Sequence, residues 1–201
     1  MVNEILPAAE LYTKTKERLY IELVDGTKFF VDDPHFDIGV IAHALANQCR
    51  YTGHCSKFYS VAEHSVLVAD IMKLMSLGDP FEGLMHDATE AYIADIAAPW
   101  KVLLPDYKVL EGRIEGPLRT HFGLPPKLSD GGKRADWIAL AVEALSLIPS
   151  GASDWTMPEG VRADAKHVAR LLKIHAYAPV GAHALFMERY HQLDAARQSA
   201  E

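Results

Sequence analysis

The residues from Asp79 to Tyr92 constrain this chain most, because a helix-start signal opens the run and three metal- or proton-competent side chains follow inside it. Asp79 is a good N-cap, Pro80 suits the first helical position, and Glu82 has the spacing to reach back and complete a capping box. The run is predicted to be helical throughout. Positions three and four apart share a helix face, which puts His86, Asp87 and Glu90 in one sector while Leu84, Ala88 and Ile93 pack elsewhere. An adjacent His and Asp with a carboxylate one turn on make half of a divalent-cation site. Alone, such a pair usually marks nothing more than a solvated helix face.

Two other predicted helices supply the remainder. Ser60 and Glu63 have capping-box spacing before Val61 to Met72, a helix whose polar side is expected to carry Glu63, Asp70 and Lys73. His64 has Ser60, Val61, Leu67 and Val68 as helical neighbours, so its imidazole projects from the face that should be buried; a core histidine bonded to a carbonyl is the ordinary alternative. From Arg134 to Val142 a single carboxylate, Asp136, sits in an almost wholly apolar helix. Burying it ionised costs several kcal/mol, roughly, unless a cation receives it, and Arg134 is the simplest such partner. His64, His86, Asp87 and Asp136 together make a candidate four-ligand set.

Around these helices the chain reads as all-α. The segment 17–31 reads as two short strands meeting at Asp25-Gly26, a favoured hairpin turn and the one clear β signal. Asp37 caps a helix through Ile38, Ile41, Ala42, Leu45 and Ala46, and residues 51–59 form a polar loop dense in functional side chains. A helix over 106–122 is predicted to kink at Gly112, Gly116 and Pro117. Val161, Ala165, Val168, Leu172 and His175 share a stripe, and a last helix runs from Val180 to Ala196. At 201 residues and 49% hydrophobic, one domain over 1–201 is expected, with the hairpin at 17–31, a metal-site core at 37–148 and C-terminal helices at 160–197.

No apolar run reaches 18 residues, and Met1 to Pro7 lack the basic start and long apolar middle of a secretory signal, so a cytoplasmic protein without a membrane partner is expected. Cys49 and Cys55 could pair, but two cysteines make neither a disulfide scaffold nor a zinc site. With 27 acidic against 20 basic residues and a net charge of −7, no nucleic-acid polymer is expected as partner. A phosphorylated small molecule remains compatible, since a metal and a few cations reverse the potential locally.

The order His64, then His86-Asp87 on the next helix, then a distant Asp136 resembles the HD-domain metal-dependent phosphohydrolases. Arg50-Tyr51-Thr52-Gly53-His54, Tyr59 to Ser65, His86 to Glu90 and Asp95 to Lys101 are similar to the bacterial 5′-deoxynucleotidases and to related phage and bacterial deoxynucleoside triphosphate hydrolases, over residues 37–148. The resemblance implies an HD-domain helical fold and one divalent transition metal, with Mn, Co, Fe, Ni and Zn all suited to two imidazoles and two carboxylates. It implies Glu90 as the group assisting proton transfer, and Arg50 and Tyr51 as the contacts to phosphate and sugar, with Tyr51 where the deoxynucleotidases carry Trp. His54, Lys57 and Lys101 are further expected phosphate contacts, and Asp95 a sugar or lysine partner. The implied activity is release of phosphate from 5′-deoxynucleoside monophosphates. Its rivals are hydrolysis of dNTPs, which would draw on Lys57, Lys101 and Arg134, and a non-catalytic nucleotide-sensing HD module; a cyclic-dinucleotide phosphodiesterase lacks its further motifs here. The expected partner is a small deoxynucleotide, with a homodimer or higher homo-oligomer left open.

Overall fold

A computed structural model describes residues 18–199. The chain is all-α with a small hairpin. Strands β1 (Ile21–Glu22) and β2 (Lys28–Phe29) pair antiparallel, Ile21 opposite Phe29 and Glu22 opposite Lys28. The predicted strand residue Glu17 lies outside the described residues. The turn is longer than the predicted two-residue one: Leu23 N–H donates to the Thr27 carbonyl, while Asp25 Oδ1 accepts from Thr27 N–H and its hydroxyl. Phe29 is buried and stacks on Tyr92, with ring centroids 4.1 Å apart, which fastens the hairpin beside the helices that form the site.

The helices are α1 (Ile38–Asn47), α2 (Val61–Met75), α3 (Pro80–Met85), α4 (Glu90–Ile93), α5 (Ala98–Lys101), α6 (Pro105–His121), α7 (Asp130–Leu147), α8 (Val161–Val168) and α9 (Pro179–Gln198). Their starts follow local chemistry. Asp37 accepts from Val40 N–H, Ser60 from Glu63 N–H, Asp79 from Phe81 N–H and Ser129 from Gly132 N–H, each satisfying a donor that a helix N-terminus leaves open. Helix α6 runs through Gly112, Gly116 and Pro117 as one helix. Among the predicted stripe residues, Leu172 and His175 fall beyond the end of α8 at Val168.

Helix α2 is the axis of the molecule. Val61, Ala62, Val66 and Ala69 pack into a cluster with Ile41 and Leu45 of α1, Leu84 and Met85 of α3, and Phe186 of α9. Its other side, Leu67, Val68, Ile71 and Met72, packs with Ile138 and Val142 of α7 and Val161 and Val168 of α8. With apolar partners on both sides, α2 is buried without a break from Val61 to Ala69, and His64 has no exposed surface. Gly83 lets α3 come close: a Cβ there would stand 2.6 Å from Met72 Sδ and 3.3 Å from the Ala69 backbone. That approach brings the residues after α3 up to His64.

The polar face expected for Glu63 is not its location. Its carboxylate is buried, and it accepts the backbone N–H groups of His175, Ala176 and Tyr177, each at 2.9 Å. Glu82, expected to close a capping box, is likewise buried and accepts from Arg119 and from Ser129 N–H. Both carboxylates found donors far along the chain that are charged or otherwise unsatisfied, and a buried carboxylate gains more from these than from one local amide.

Candidate metal centre and cleft

The predicted continuous helix over 79–92 is interrupted at the functional residues. Between α3 and α4 the backbone bonds three residues apart, Ala88 to Met85, Glu90 to Asp87 and Tyr92 to Thr89. His86 supplies a reason: its Nδ1 donates to the Gly83 carbonyl at 2.7 Å, the acceptor that a continuing α-helix would give to Asp87 N–H.

His64 from α2, His86 and Asp87 from this turn, and Asp136 from α7 converge. The donor atoms of His64, His86 and Asp87 lie within 4.8 Å of one another. His64 Nε2 is 3.3 Å from His86 Nε2, 3.5 Å from Asp87 Oδ2 and 3.2 Å from Asp136 Oδ1; His86 Nε2 is 3.1 Å from Asp87 Oδ2 and 3.9 Å from Asp136 Oδ1. Each imidazole has its other nitrogen committed, His86 Nδ1 to Gly83 and His64 Nδ1 to Glu143 Oε1 at 2.6 Å. When both rings are neutral, with the proton on Nδ1, their Nε2 lone pairs face two carboxylate oxygens. In that state every group facing the centre is an acceptor, and the set could hold a divalent transition metal, with each histidine oriented through its second nitrogen.

The electrostatics carry the same sign. Burial alone would lower the basicity of His86, but Asp87 and Asp136 beside it push it up to about 9. Burial and the Arg50 cation likewise oppose charge on His64, and Glu143 and Asp136 outweigh them. Burial works against ionised Asp87, yet the imidazoles and Arg50 hold its carboxyl below the usual range.

Glu143 is the residue that sequence reasoning missed. It has no exposed surface, and its two oxygens serve different parts of the site. Oε1 accepts from His64, while Oε2 accepts from Arg50 Nε at 3.1 Å and from the Tyr51 hydroxyl at 2.6 Å. Burial disfavours its charge, but Arg50 and His64 lower its pKa to about 2. A signal was available: Glu143 lies seven residues after Asp136, two turns along the same face of α7. Arg134, the simplest partner for Asp136, instead pairs with Asp164.

Beside the histidine–aspartate cluster opens a cleft of about 750 Å³. Of the residues expected to meet substrate, Arg50, Tyr51, His54, Asp95 and Lys101 line it, together with Glu90, Asp87 and Asp136. Lys57 is exposed and is not part of the lining, nor is Arg134. Trp137, Leu140, Ile148 and Trp155 form an apolar wall that the sequence did not single out. Arg50 and Tyr51 stand on a short 3₁₀ turn, Arg50–Gly53, in which Tyr51 and Thr52 have φ of 58° and 54°. Side chains adopt this left-handed region at some cost, and here the Tyr51–Glu143 bond helps to hold it. Cys49 and Cys55 flank the turn as free thiols, their sulfurs 3.7 Å apart.

Glu90 is buried. One of its oxygens accepts from Lys101 at 3.2 Å, and the other has no partner among the described residues. Burial, followed by the charges of Asp87 and Asp95, pushes its carboxyl well above the ordinary range. Lys101 also bonds Glu111 at 3.2 Å. Asp95 donates its backbone N–H to Gln48 Oε1 and leaves its side chain in the cleft, where burial raises its pKa.

No family model matches the chain. It is 42% identical over 184 residues to the Escherichia coli K12 protein named Uncharacterized protein YfdR, a similarity spanning 90% of this chain and 99% of that one. An uncharacterized protein of Rhodobacter capsulatus is 29% identical over 191 residues, covering 88% of this chain and 96% of its own. No described helix is long and apolar enough to cross a membrane.

Proposed function

The chain belongs to the YfdR family, and we propose that it is a divalent-metal-dependent phosphohydrolase of the HD-domain kind, releasing phosphate from 5′-deoxynucleoside monophosphates. One observation carries this reading: two imidazoles with their Nδ1 protons engaged elsewhere, and two carboxylates, meet at the mouth of a cleft large enough for a nucleotide. His64, His86, Asp87 and Asp136 would hold the ion. When bound, a divalent ion neutralises charge on a phosphoryl group and lowers the pKa of its water.

The residues around it divide the remaining tasks. Arg50, with Nε fixed on Glu143, presents the rest of its guanidinium to phosphate oxygens in the planar arrangement that suits them. Tyr51 lies against the sugar, and the wall of Trp137, Leu140 and Trp155 receives the base and excludes water. Glu90, kept neutral to higher pH by burial and by neighbouring carboxylates, donates its proton to the leaving 5′ oxygen as a water oxygen bonds to phosphorus, and the deoxynucleoside departs as an alcohol with inorganic phosphate as the other product.

A monophosphate is favoured over a triphosphate on a specific ground. Of the three cations that would extend recognition past the first phosphate, Lys57 and Arg134 do not line the cleft, and Lys101 is already bonded to Glu90 and Glu111. The test is to incubate metal-loaded protein with dNMPs, dNTPs and ribonucleotides and to identify products by chromatography, with metal content measured alongside. The expected result is inorganic phosphate and deoxynucleoside, about one divalent ion per chain, and loss of both ion and activity in Asp87→Ala. Triphosphate or pyrophosphate as product would favour the dNTP reading, and full metal occupancy in Asp87→Ala would remove the site.

A further inference from the structure

We infer that Glu143 is a positioning residue joining the metal centre to the substrate turn: one carboxylate orients the ligand His64 through Oε1 and fixes Arg50 and Tyr51 through Oε2. The inference rests on the proposed metal-dependent reading and adds a residue which that reading does not require.

The geometry allows few other roles. Glu143 has no exposed surface and sits behind His64 and Arg50, so it meets neither solvent nor a substrate in the cleft. Its three polar contacts come from residues 79, 92 and 93 positions away, and none belongs to α7 itself. A carboxylate buried only for stability needs a single cation, and Arg50 would suffice. Here the second oxygen is committed at 2.6 Å to the imidazole nitrogen that does not face the metal cluster. This arrangement fixes the tautomer of His64 with its proton on Nδ1, leaves Nε2 as a lone-pair donor and increases the basicity of the ring. On the other oxygen, Arg50 and the Tyr51 hydroxyl are held side by side, although Tyr51 and Thr52 stand in the left-handed region. A phenylalanine or tryptophan at 51 lacks the phenolic donor, so this connection depends on tyrosine.

The assignment predicts a split that a merely structural glutamate would not give. Glu143→Gln keeps size and shape but places an amide against partners that are all donors. It should weaken metal binding by about 10–100-fold, the usual cost of losing a group that orients a metal-binding histidine, and at saturating metal it should also raise KM. Tyr51→Phe removes only the phenolic bond to Oε2 and leaves His64 on Oε1, so KM rises while metal affinity stays within about twofold. Metal affinity is read by chelator competition, independently of activity, and helix content by circular dichroism. In wild-type protein loaded with Zn, a long-range ¹H–¹⁵N correlation spectrum should show the His64 proton on Nδ1. That measurement needs no variant and stands even if Glu143→Gln does not fold. The inference is overturned if the proton is on Nε2, if folded Glu143→Gln binds metal as wild type does, or if Tyr51→Phe leaves KM unchanged. Wild-type protein that binds no divalent ion would instead overturn the metal-dependent reading itself.

Discussion

Glu90→Gln separates proton transfer from metal binding. In the wild type one carboxylate oxygen accepts from Lys101, and the other is buried without a partner among the described residues. Glutamine reproduces the first contact through its carbonyl and occupies the same volume. With Glu90 neutral, as proton donation requires, that contact loses no charge, so the fold should change little. The leaving oxygen loses its proton source. Loss of a general acid lowers kcat by roughly 10²–10⁴, equivalent to about 3–5 kcal/mol of barrier. The assay is initial-rate phosphate release from a dNMP at saturating metal, repeated across pH, with metal content measured on the same samples. The pH dependence has a defined sign. Burial and the carboxylates of Asp87 and Asp95 raise the Glu90 pKa, so the neutral, proton-donating form persists above the ordinary carboxylate range, and kcat falls as pH rises through the shifted value. Glutamine should abolish that limb while leaving the metal in place. Near-wild-type kcat, or a pH profile unchanged in shape, would refute the assignment of Glu90 as the acid.

Two further outcomes follow from contacts already described. Glu63→Gln replaces an anion that accepts three backbone N–H groups with an amide that repels at least one of them; it should destabilise the chain by about 2–4 kcal/mol, read as a lower urea midpoint at unchanged m-value, and a shift under about 0.5 kcal/mol would deny the carboxylate its role. Tyr51→Ala opens the space proposed for the 2′ position, so the ratio of kcat/KM for a deoxynucleotide to that for its ribonucleotide counterpart should fall, and an unchanged ratio would place sugar selection elsewhere.

What could be read from the sequence was local. Asp37, Ser60 and Asp79 cap the helices their positions indicated, because a cap is settled within three residues. The burial of His64 followed from helical spacing, since the residues three and four away from it are largely apolar. The glutamates were not legible in this way. Glu63, Glu82 and Glu143 each have the appearance of helix-surface or capping acids, and each is buried against donors between 37 and 114 positions distant. Nothing in a window of helical length reports such a partner. His175 is a related case: helical spacing places it on the α8 stripe, but α8 ends at Val168, and Glu63 accepts the N–H groups of residues 175–177. The break after Met85 is another case, in which the His86 side chain takes over a backbone acceptor.

The balance of charge in the cleft explains why the metal and the nucleotide belong to one proposal. Asp87, Glu90, Asp95 and Asp136 line it, against Arg50, Lys101 and His54. Both permanent cations are already partnered, Arg50 with Glu143 at 3.1 Å and Asp87 at 3.8 Å, and Lys101 with Glu90 and Glu111. A phosphate dianion entering such a cleft meets more carboxylates than permanent cations, and in a partly water-excluded site that repulsion is costly. The same carboxylates favour a small dication at the point where Nε2 of His64 and of His86 converge. Once that excess negative charge is balanced, the outer N–H groups of Arg50 have a phosphate as their best remaining partner. Glu143 bonds both Arg50 and His64, so under that proposal a single buried acid on α7 would link the two halves of the site.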